Sequence, residues 1–310
     1  GAAKLVARGN DNLRRQMRWR MAYRHILPRL PGEYDIAMAY FHGEISYYVM
    51  DKVTAKRKIA WVHNDYDKTG QSPAFDRPYF ERFDQVASIS TLCVEKLRRA
   101  FPGLESKFVV VPNLTSASVV RSLSRAFDPP EFRADAPCLL SVGRLSPQKA
   151  SDLSVEAAAL LKARGLNFTW YLIGEGGLRG RLEAMIREEG LESNVRLLGI
   201  RPNPYPYMRA CDVYVQNSRY EGKSMVLDEA KILARPIVVT NYPTVADQIE
   251  NGVEGLVTPL TAAGVADGVQ RLLEDDALRR SFTDRLACRE YDNTAGIALY
   301  HALLTGKPQG

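Results

Sequence analysis

The chain has 310 residues, a prior for two domains, and its 45% hydrophobic content is ample for two packed cores. The formal charge is +6, and the four cysteines (Cys93, Cys138, Cys211, Cys288) and four histidines (His25, His42, His63, His301) are scattered. That spacing argues against disulfides, a zinc site or a histidine cluster, and suits a reducing cytoplasm; no apolar run reaches bilayer-spanning length, and the Gly-Ala-Ala-Lys start has no signal-type segment.

Residues 1–30 carry Lys4, Arg8, Arg14, Arg15, Arg18, Arg20, Arg24 and Arg29 against Asp11 alone, which accounts for the whole basic excess. Leu13, Met17 and Met21 are spaced one helical turn apart with arginines between them, so the segment reads as a basic amphipathic helix. Such a helix either rests on an anionic membrane surface or is simply a solvated face. Nucleic acid is the weaker partner, because no aromatic interleaving or groove-reading motif accompanies the charge.

Strands are expected over residues 34–40, 58–62, 86–90 and 108–111, with a linker over 120–137 marked by Asp128-Pro-Pro. His63 and Asp65 follow the second strand, and Asn113 follows the fourth, all at carboxyl ends where open α/β sheets bind ligands. The second half repeats the rhythm with strands expected over 138–142, 169–173, 195–198, 213–216, 237–240 and 255–257. Helical patterns such as 153–163 and 179–188 lie between them. Strands spaced by helices of this length imply parallel sheets with right-handed crossovers. The expected division is an N-terminal domain over 1–130, a second domain over 131–290 and a C-terminal helix and tail over 291–310.

The most informative stretch is Arg219-Tyr-Glu-Gly-Lys-Ser-Met-Val-Leu-Asp-Glu229-Ala-Lys, which follows the 213–216 strand. Gly222 can take backbone angles closed to other residues, and Ser224 is a reasonable N-cap for the helix that follows. The free N–H groups and positive dipole end of that helix make a ready anion site, most simply for a phosphate. Glu229 falls one turn inside the helix, able to bond a neutral hydroxyl beside the phosphate, and Glu221 precedes the turn.

This segment resembles the Glu-x7-Glu signature of retaining glycosyltransferases of the GT-B fold, closest to glycosyltransferase family 4 and its bacterial capsular and surface polysaccharide enzymes. Five further blocks agree in order over roughly residues 136–260. They are Leu140-Ser-Val-Gly-Arg144-Leu-Ser-Pro-Gln-Lys149, Tyr171-Leu-Ile-Gly174-Glu-Gly176, Val195-Arg-Leu-Leu-Gly199, and the strand entries at Ala234 and Asn251. One departure is Lys149-Ala150, where the family usually has Lys-Gly.

The resemblance implies two Rossmann-like parallel-sheet domains facing a cleft, the first lacking one or two initial strands and its Gly-rich loop. It implies a sugar moved from a nucleotide diphosphate to a glycan or lipid-linked acceptor, without cofactor or metal. Arg144 and Lys149 would bind the departing diphosphate, Glu229 the ribose and Glu221 the donor sugar. The same resemblance places Gly143, Gly174, Glu175, Arg201, Gly222, Lys223, Ser224 and Met225 around the donor, and His63, Asp65 and Asn113 on the acceptor side, with His63 also a candidate in the chemistry. A cytoplasmic enzyme, peripheral on the inner face of the plasma membrane, fits this picture. A nucleotide-sugar-binding pseudoenzyme or truncated inactive homologue and an epimerase of the same architecture remain the alternatives; a dehydrogenase would need a Gly-x-Gly-x-x-Gly loop that the chain lacks.

Overall fold

The protein, seen here as a computed structural model, is described over residues 11–132, 135–292 and 294–306. Lys4 and Arg8 of the basic segment lie outside those residues. The chain divides into two compact units, one of Gly1–Leu114 with Ala295–Gly310 and the other of Thr115–Thr294.

The first unit opens with α1 (Asp11–Arg18), which runs into a π-helical turn over Trp19–Tyr23 and one further α-turn, Arg24–Ile26. A parallel sheet follows in the order β1 (Glu33–Ala39), β2 (Thr54–Val62), β3 (Gln85–Ser88), β4 (Phe108–Val110), with α2 (Glu44–Lys52), α3 (Pro73–Phe80) and α4 (Thr91–Ala100) as crossovers. Alternate residues of β2 serve opposite faces. Ala60 and Val62 join Trp19, Tyr47, Met50 and Phe80, while Ile59 and Trp61 join Cys93, Val111 and Leu303. A parallel sheet needs both faces covered, and the C-terminal helix Ile297–Thr305 contributes to the second. Tyr300 donates to the Pro112 carbonyl at 2.8 Å, and Arg57 to that of Leu303 at 3.1 Å. β1 is an edge strand whose first four residues are exposed, and among the described residues no strand pairs with its outer side.

The basic segment corrects its own sequence reading. Leu13 and Met17 are half-buried, but Met21 is 59% exposed and Trp19 is buried in its place. A π-helical turn holds an extra residue, so the regular four-residue spacing does not stay on one face. Trp19 Nε1 donates to the Tyr79 hydroxyl at 3.0 Å, and the buried Gln16 donates to Asp76 at 2.9 Å, so the helix is part of the unit's core.

The second unit is a six-stranded parallel sheet joined by helices. Its chain order is α5 (Ala117–Ser124), β5 (Cys138–Val142), α6 (Ser151–Ala163), β6 (Thr169–Ile173), α7 (Arg179–Glu188), β7 (Val195–Gly199), α8 (Tyr205–Ala210) and β8 (Val213–Gln216). It continues with α9 (Met225–Ile232), β9 (Ile237–Thr240), β10 (Gly255–Thr258), α10 (Ala262–Glu274) and α11 (Asp276–Ala287). Leu139, Trp170, Val213, Val215 and Val238 face α6, α7 and α10, whereas Leu140, Tyr171, Tyr214, Ile237 and Val239 face α5, α8 and α9. The stretch read as linker over 120–137 therefore begins inside a helix. Ala117 and Val120 of α5 bury against Tyr207, Met208 and Leu227, and the units divide at Leu114/Thr115 rather than near residue 130.

The strand order β10-β9-β8-β5-β6-β7 reverses between β8 and β5. Crossovers run outward in opposite directions from that point, so the loops after β5 and β8 diverge and leave a crevice at the carboxyl edge.

Candidate functional site

The loops that flank this reversal hold the residues singled out in the sequence. The β5 loop carries Gly143, Arg144 and Lys149, and the β8 loop carries Glu221, Gly222, Lys223 and Ser224. A small cavity of about 20 Å3 sits between them, bordered by Gly143, Arg144, Lys149, Gln216 and Asn217.

Backbone contacts fix the β5 loop against the β6 loop. Gly143 N–H donates to the Ile173 carbonyl at 2.9 Å and Leu145 N–H to that of Glu175 at 3.0 Å. Gly174 has φ 140°, and a Cβ there would stand 1.9 Å from the Gly143 carbonyl oxygen, so only glycine permits this approach. Ala150 takes φ 47° and ψ 42°, the left-handed conformation a glycine would adopt without strain. The Lys-Ala departure thus keeps the turn and stores local strain. Gly222, by contrast, is not among the glycines with positive φ, so its expected special backbone is not observed.

Lys149 Nζ donates to Glu221 Oε1 at 2.6 Å, and Ser218 Oγ donates to the same oxygen at 2.7 Å. Glu221 is buried, and Thr244 Oγ1 holds its carbonyl at 3.0 Å. Arg144 is exposed, and its guanidinium is engaged by no carboxylate among the described residues. Ser224 occupies the N-cap position of α9, but its hydroxyl does not cap the helix. It donates to Gln216 Oε1 at 2.7 Å, while Gln248 accepts from Ser224 N–H at 2.8 Å and donates to its carbonyl at 2.9 Å. Ser224 thus leaves the first turn of α9 without a side-chain cap of its own. Met225 follows, its sulfur accepting from Thr115 Oγ1 at 3.9 Å.

Glu229 lies one turn further and accepts from the Tyr205 hydroxyl at 3.0 Å. Burial raises its pKa, with the Tyr205 bond acting in the opposite sense. Lys223 stands 3.4 Å from Asp228, not from an open position. Glu175 is paired with Arg179, and Arg201 is held by Glu131 at 2.7 Å and by the Tyr207 hydroxyl at 3.0 Å. The sequence reading missed Ser218, Gln216, Gln248, Tyr205 and Asn217. Asn217 donates to Ser154 at 2.9 Å, and its buried Oδ1 accepts no hydrogen bond among the described residues. A buried acceptor without a donor is a place for a ligand N–H or O–H.

In the first unit, burial holds the His63 imidazole below its ordinary pKa, opposed by a bond to the Tyr40 backbone. Its Nε2 is buried without a partner among the described residues. Three aromatic rings surround it: Tyr40 at 4.7 Å between centroids, Phe41 at 5.3 Å, and Trp61 stacked at 5.6 Å. Among the described residues, His42 Nδ1, Glu44 Oε1, Trp61 Nε1 and Gln71 Oε1 are also buried without a hydrogen bond, although Arg18 lies 3.7 Å from Glu44 Oε1. Burial, then the charges of His63 and Arg15, lowers the His42 pKa to about 4. These atoms gather where β1 and β2 end. Asp65 is turned to structural use: it pairs with Lys96 and accepts from Asp67 N–H at 3.1 Å. Asn113 is half-buried just beyond β4.

Two parallel-sheet units, one with a crevice at its strand reversal, place the chain in the GT-B class of α/β architecture. Residues 124–286 match the family of glycosyl transferases group 1, and the chain belongs to that family. It is 34% identical over 156 residues to an alpha-D-kanosaminyltransferase of Streptomyces kanamyceticus, covering 49% of this chain and 40% of the relative. It is 35% identical over 153 residues to the N-acetylgalactosamine-N,N'-diacetylbacillosaminyl-diphospho-undecaprenol 4-alpha-N-acetylgalactosaminyltransferase of Campylobacter jejuni, covering 49% and 41%. These matches span about two-fifths of the length of either relative. Among solved structures, Anabaena HepE in complex with UDP superposes with TM-score 0.68 at 20% identity, covering 81% of this chain and 72% of that one. S. aureus TarM, with Fondaparinux, alpha-GlcNAc-glycerol and UDP, gives 0.71 at 21%, covering 87% and 55%.

Proposed function

We propose that the protein transfers a sugar from a nucleotide diphosphate donor to a hydroxyl of a glycan or lipid-linked acceptor, with retention at the anomeric carbon. The observation that carries this reading is the β5/β8 crevice, bordered by Arg144 and Lys149, with Lys149 paired to Glu221 on the loop that leads into α9. The UDP bound by the structural neighbours HepE and TarM supports a uridine donor, and the undecaprenyl diphosphate in the Campylobacter relative's name supports a lipid-linked acceptor.

In this account the anomeric C–O bond to the β-phosphate breaks and the acceptor oxygen bonds to the same face of that carbon. The acceptor proton passes to the departing phosphate oxygen. Negative charge grows on the diphosphate as the bond breaks, so Arg144, Lys149 and the α9 dipole contribute most in the transition state. An Arg fork and a mobile Lys charge suit two different phosphate oxygens. Lys149 is held by Glu221 before any ligand arrives, and the donor's phosphate and sugar hydroxyls would share these two side chains. Glu229 would accept from the ribose hydroxyls in place of Tyr205.

The first unit would serve the acceptor. A neutral His63 with Nε2 free to accept can orient an incoming hydroxyl, and Tyr40 and Phe41 offer flat apolar faces to a sugar ring. The charges proposed here need no metal, and the protein would work at an anionic membrane face through residues 1–30. Among the described residues no helix is long and apolar enough to cross a membrane.

The test is incubation with UDP-sugars and a lipid-linked or glycan acceptor mixture, with product anomers read by NMR. Transfer with retained configuration, surviving a chelator, is expected. An inverted product or a strict metal requirement would contradict this mechanism, and donor binding without turnover would identify a pseudoenzyme.

A further inference from the structure

A second cavity, of about 520 Å3, lies in the first unit where the basic segment meets α3. Its size is that of sites that enclose small ligands. The floor is apolar, made by Leu13, Met17, Ala74, Phe75 and Pro78. The rim is cationic, with Arg20, Arg24 and Arg82 against Asp51 alone. That carboxylate is shared, 3.4 Å from Arg24 and 3.0 Å from Arg82, so it orients two guanidiniums without neutralising the rim. Arg20 sits on the π-helical turn, the same irregularity that sends Met21 outward.

The surface beside the cavity is unusual in a second way. Met21, Ile26 and Leu30 are exposed, at 59%, 69% and 41%, within a segment that also carries Arg20, Arg24 and Arg29. Large apolar side chains alternating with arginines on one exposed segment suit the layer between lipid headgroups and acyl chains. Guanidiniums recognise phosphate by paired N–H bonds, and an apolar floor behind them recognises a hydrocarbon chain.

We propose that this cavity binds one anionic phospholipid of the membrane. Its phosphate would sit on Arg20, Arg24 and Arg82, with an acyl chain over the floor formed by Leu13, Met17, Phe75 and Pro78. Met21 and Ile26 enter the surrounding headgroup layer. This inference rests on the reading that the protein works at an anionic membrane face, and it adds a discrete lipid site to what would otherwise be diffuse attraction.

The experiment uses two probes on the full chain: monomeric dihexanoylphosphatidylglycerol, followed by calorimetry, and flotation with phosphatidylcholine vesicles with or without phosphatidylglycerol. Ala74→Trp fills the cavity and leaves every charge in place; Ala74 is exposed, and an unchanged thermal melt checks the fold. The expected result is a tenfold or greater loss of short-chain lipid affinity in Ala74→Trp, with flotation on anionic vesicles retained through the remaining charge. The double variant Arg20→Gln, Arg24→Gln should lose both, whereas Arg99→Gln, an exposed arginine on α4, should lose neither. Equal short-chain affinity in wild type and Ala74→Trp, or no affinity in wild type, would overturn the lipid site even if flotation persists. Equal recovery with neutral and anionic vesicles would overturn the membrane reading beneath it.

Discussion

The two units differ in how far the polar groups at their strand ends are paired. In the second unit Lys149 is already on Glu221, Ser224 on Gln216 and Glu229 on Tyr205. Among the described residues, five buried atoms of the first unit, on His42, Glu44, Trp61, His63 and Gln71, have no hydrogen bond, against three of the second, on Ser146, Tyr214 and Asn217. A buried polar group left unpaired costs roughly 1–3 kcal/mol, so these positions favour a ligand whose hydroxyls can pair with them. In the second unit Lys149, Glu221, Ser224 and Glu229 are paired in advance, so a ligand there exchanges with partners already in place and also meets the open Asn217 Oδ1. Preorganisation suits charge stabilisation in a transition state, and unmet donors and acceptors suit recognition of a polyhydroxyl acceptor.

The sharpest way to break this contrast is to remove the cations of the arranged unit. Arg144→Ala and Lys149→Ala should each slow transfer by a factor on the order of 100 or more, with folding unchanged, because their charge matters most as the diphosphate leaves. Near-normal rates in single-turnover assays would show that the crevice is not where charge develops.

The next effect lies in the first unit and appears in stability. His42 titrates at about 4 in the fold against 6.5 for the free side chain. Between those values the unfolded chain binds more protons, so stability must fall as pH drops through this window and level off below it. The total is roughly 3 kcal/mol at most. His42→Gln should flatten that part of the profile in urea melts at successive pH values. An unchanged slope would mean that the buried imidazole is not kept neutral.

The smallest effect tests strain in the second unit. Ala150→Gly should leave activity intact and raise stability by up to about 1 kcal/mol, since glycine takes φ 47° without a steric penalty. A clear loss of stability would mean that the buried methyl contributes more than the turn costs.

The sequence made the second unit legible because its strands are buried on both faces and read as short apolar runs between helices. The expected strands at 138–142, 169–173, 213–216 and 237–240 coincide with the observed ones. Charged residues after those strands were equally visible, because strand ends are where α/β sheets present side chains. Gln216 and Gln248 were not, since an amide pairs with Ser224 only when two distant elements are brought together. The aromatic shell around His63 was hidden for the same reason: Tyr40 read as a strand end and Phe41 as the residue after it. The π-helical turn escaped because Leu13, Met17 and Met21 fit an ideal helix, and nothing local announces the extra residue. The α5 helix was masked by the Asp128-Pro-Pro signal just beyond it.

The central claim is that the strand reversal of the second unit is a nucleotide diphosphate site with Glu229 on the ribose. Calorimetric titration of UDP into wild type and Glu229→Ala tests it most directly. The account predicts binding to wild type and a loss of roughly 1–3 kcal/mol in the variant, the scale of a charged hydrogen bond. Unchanged UDP affinity in Glu229→Ala, or no UDP binding by the wild type, would contradict it.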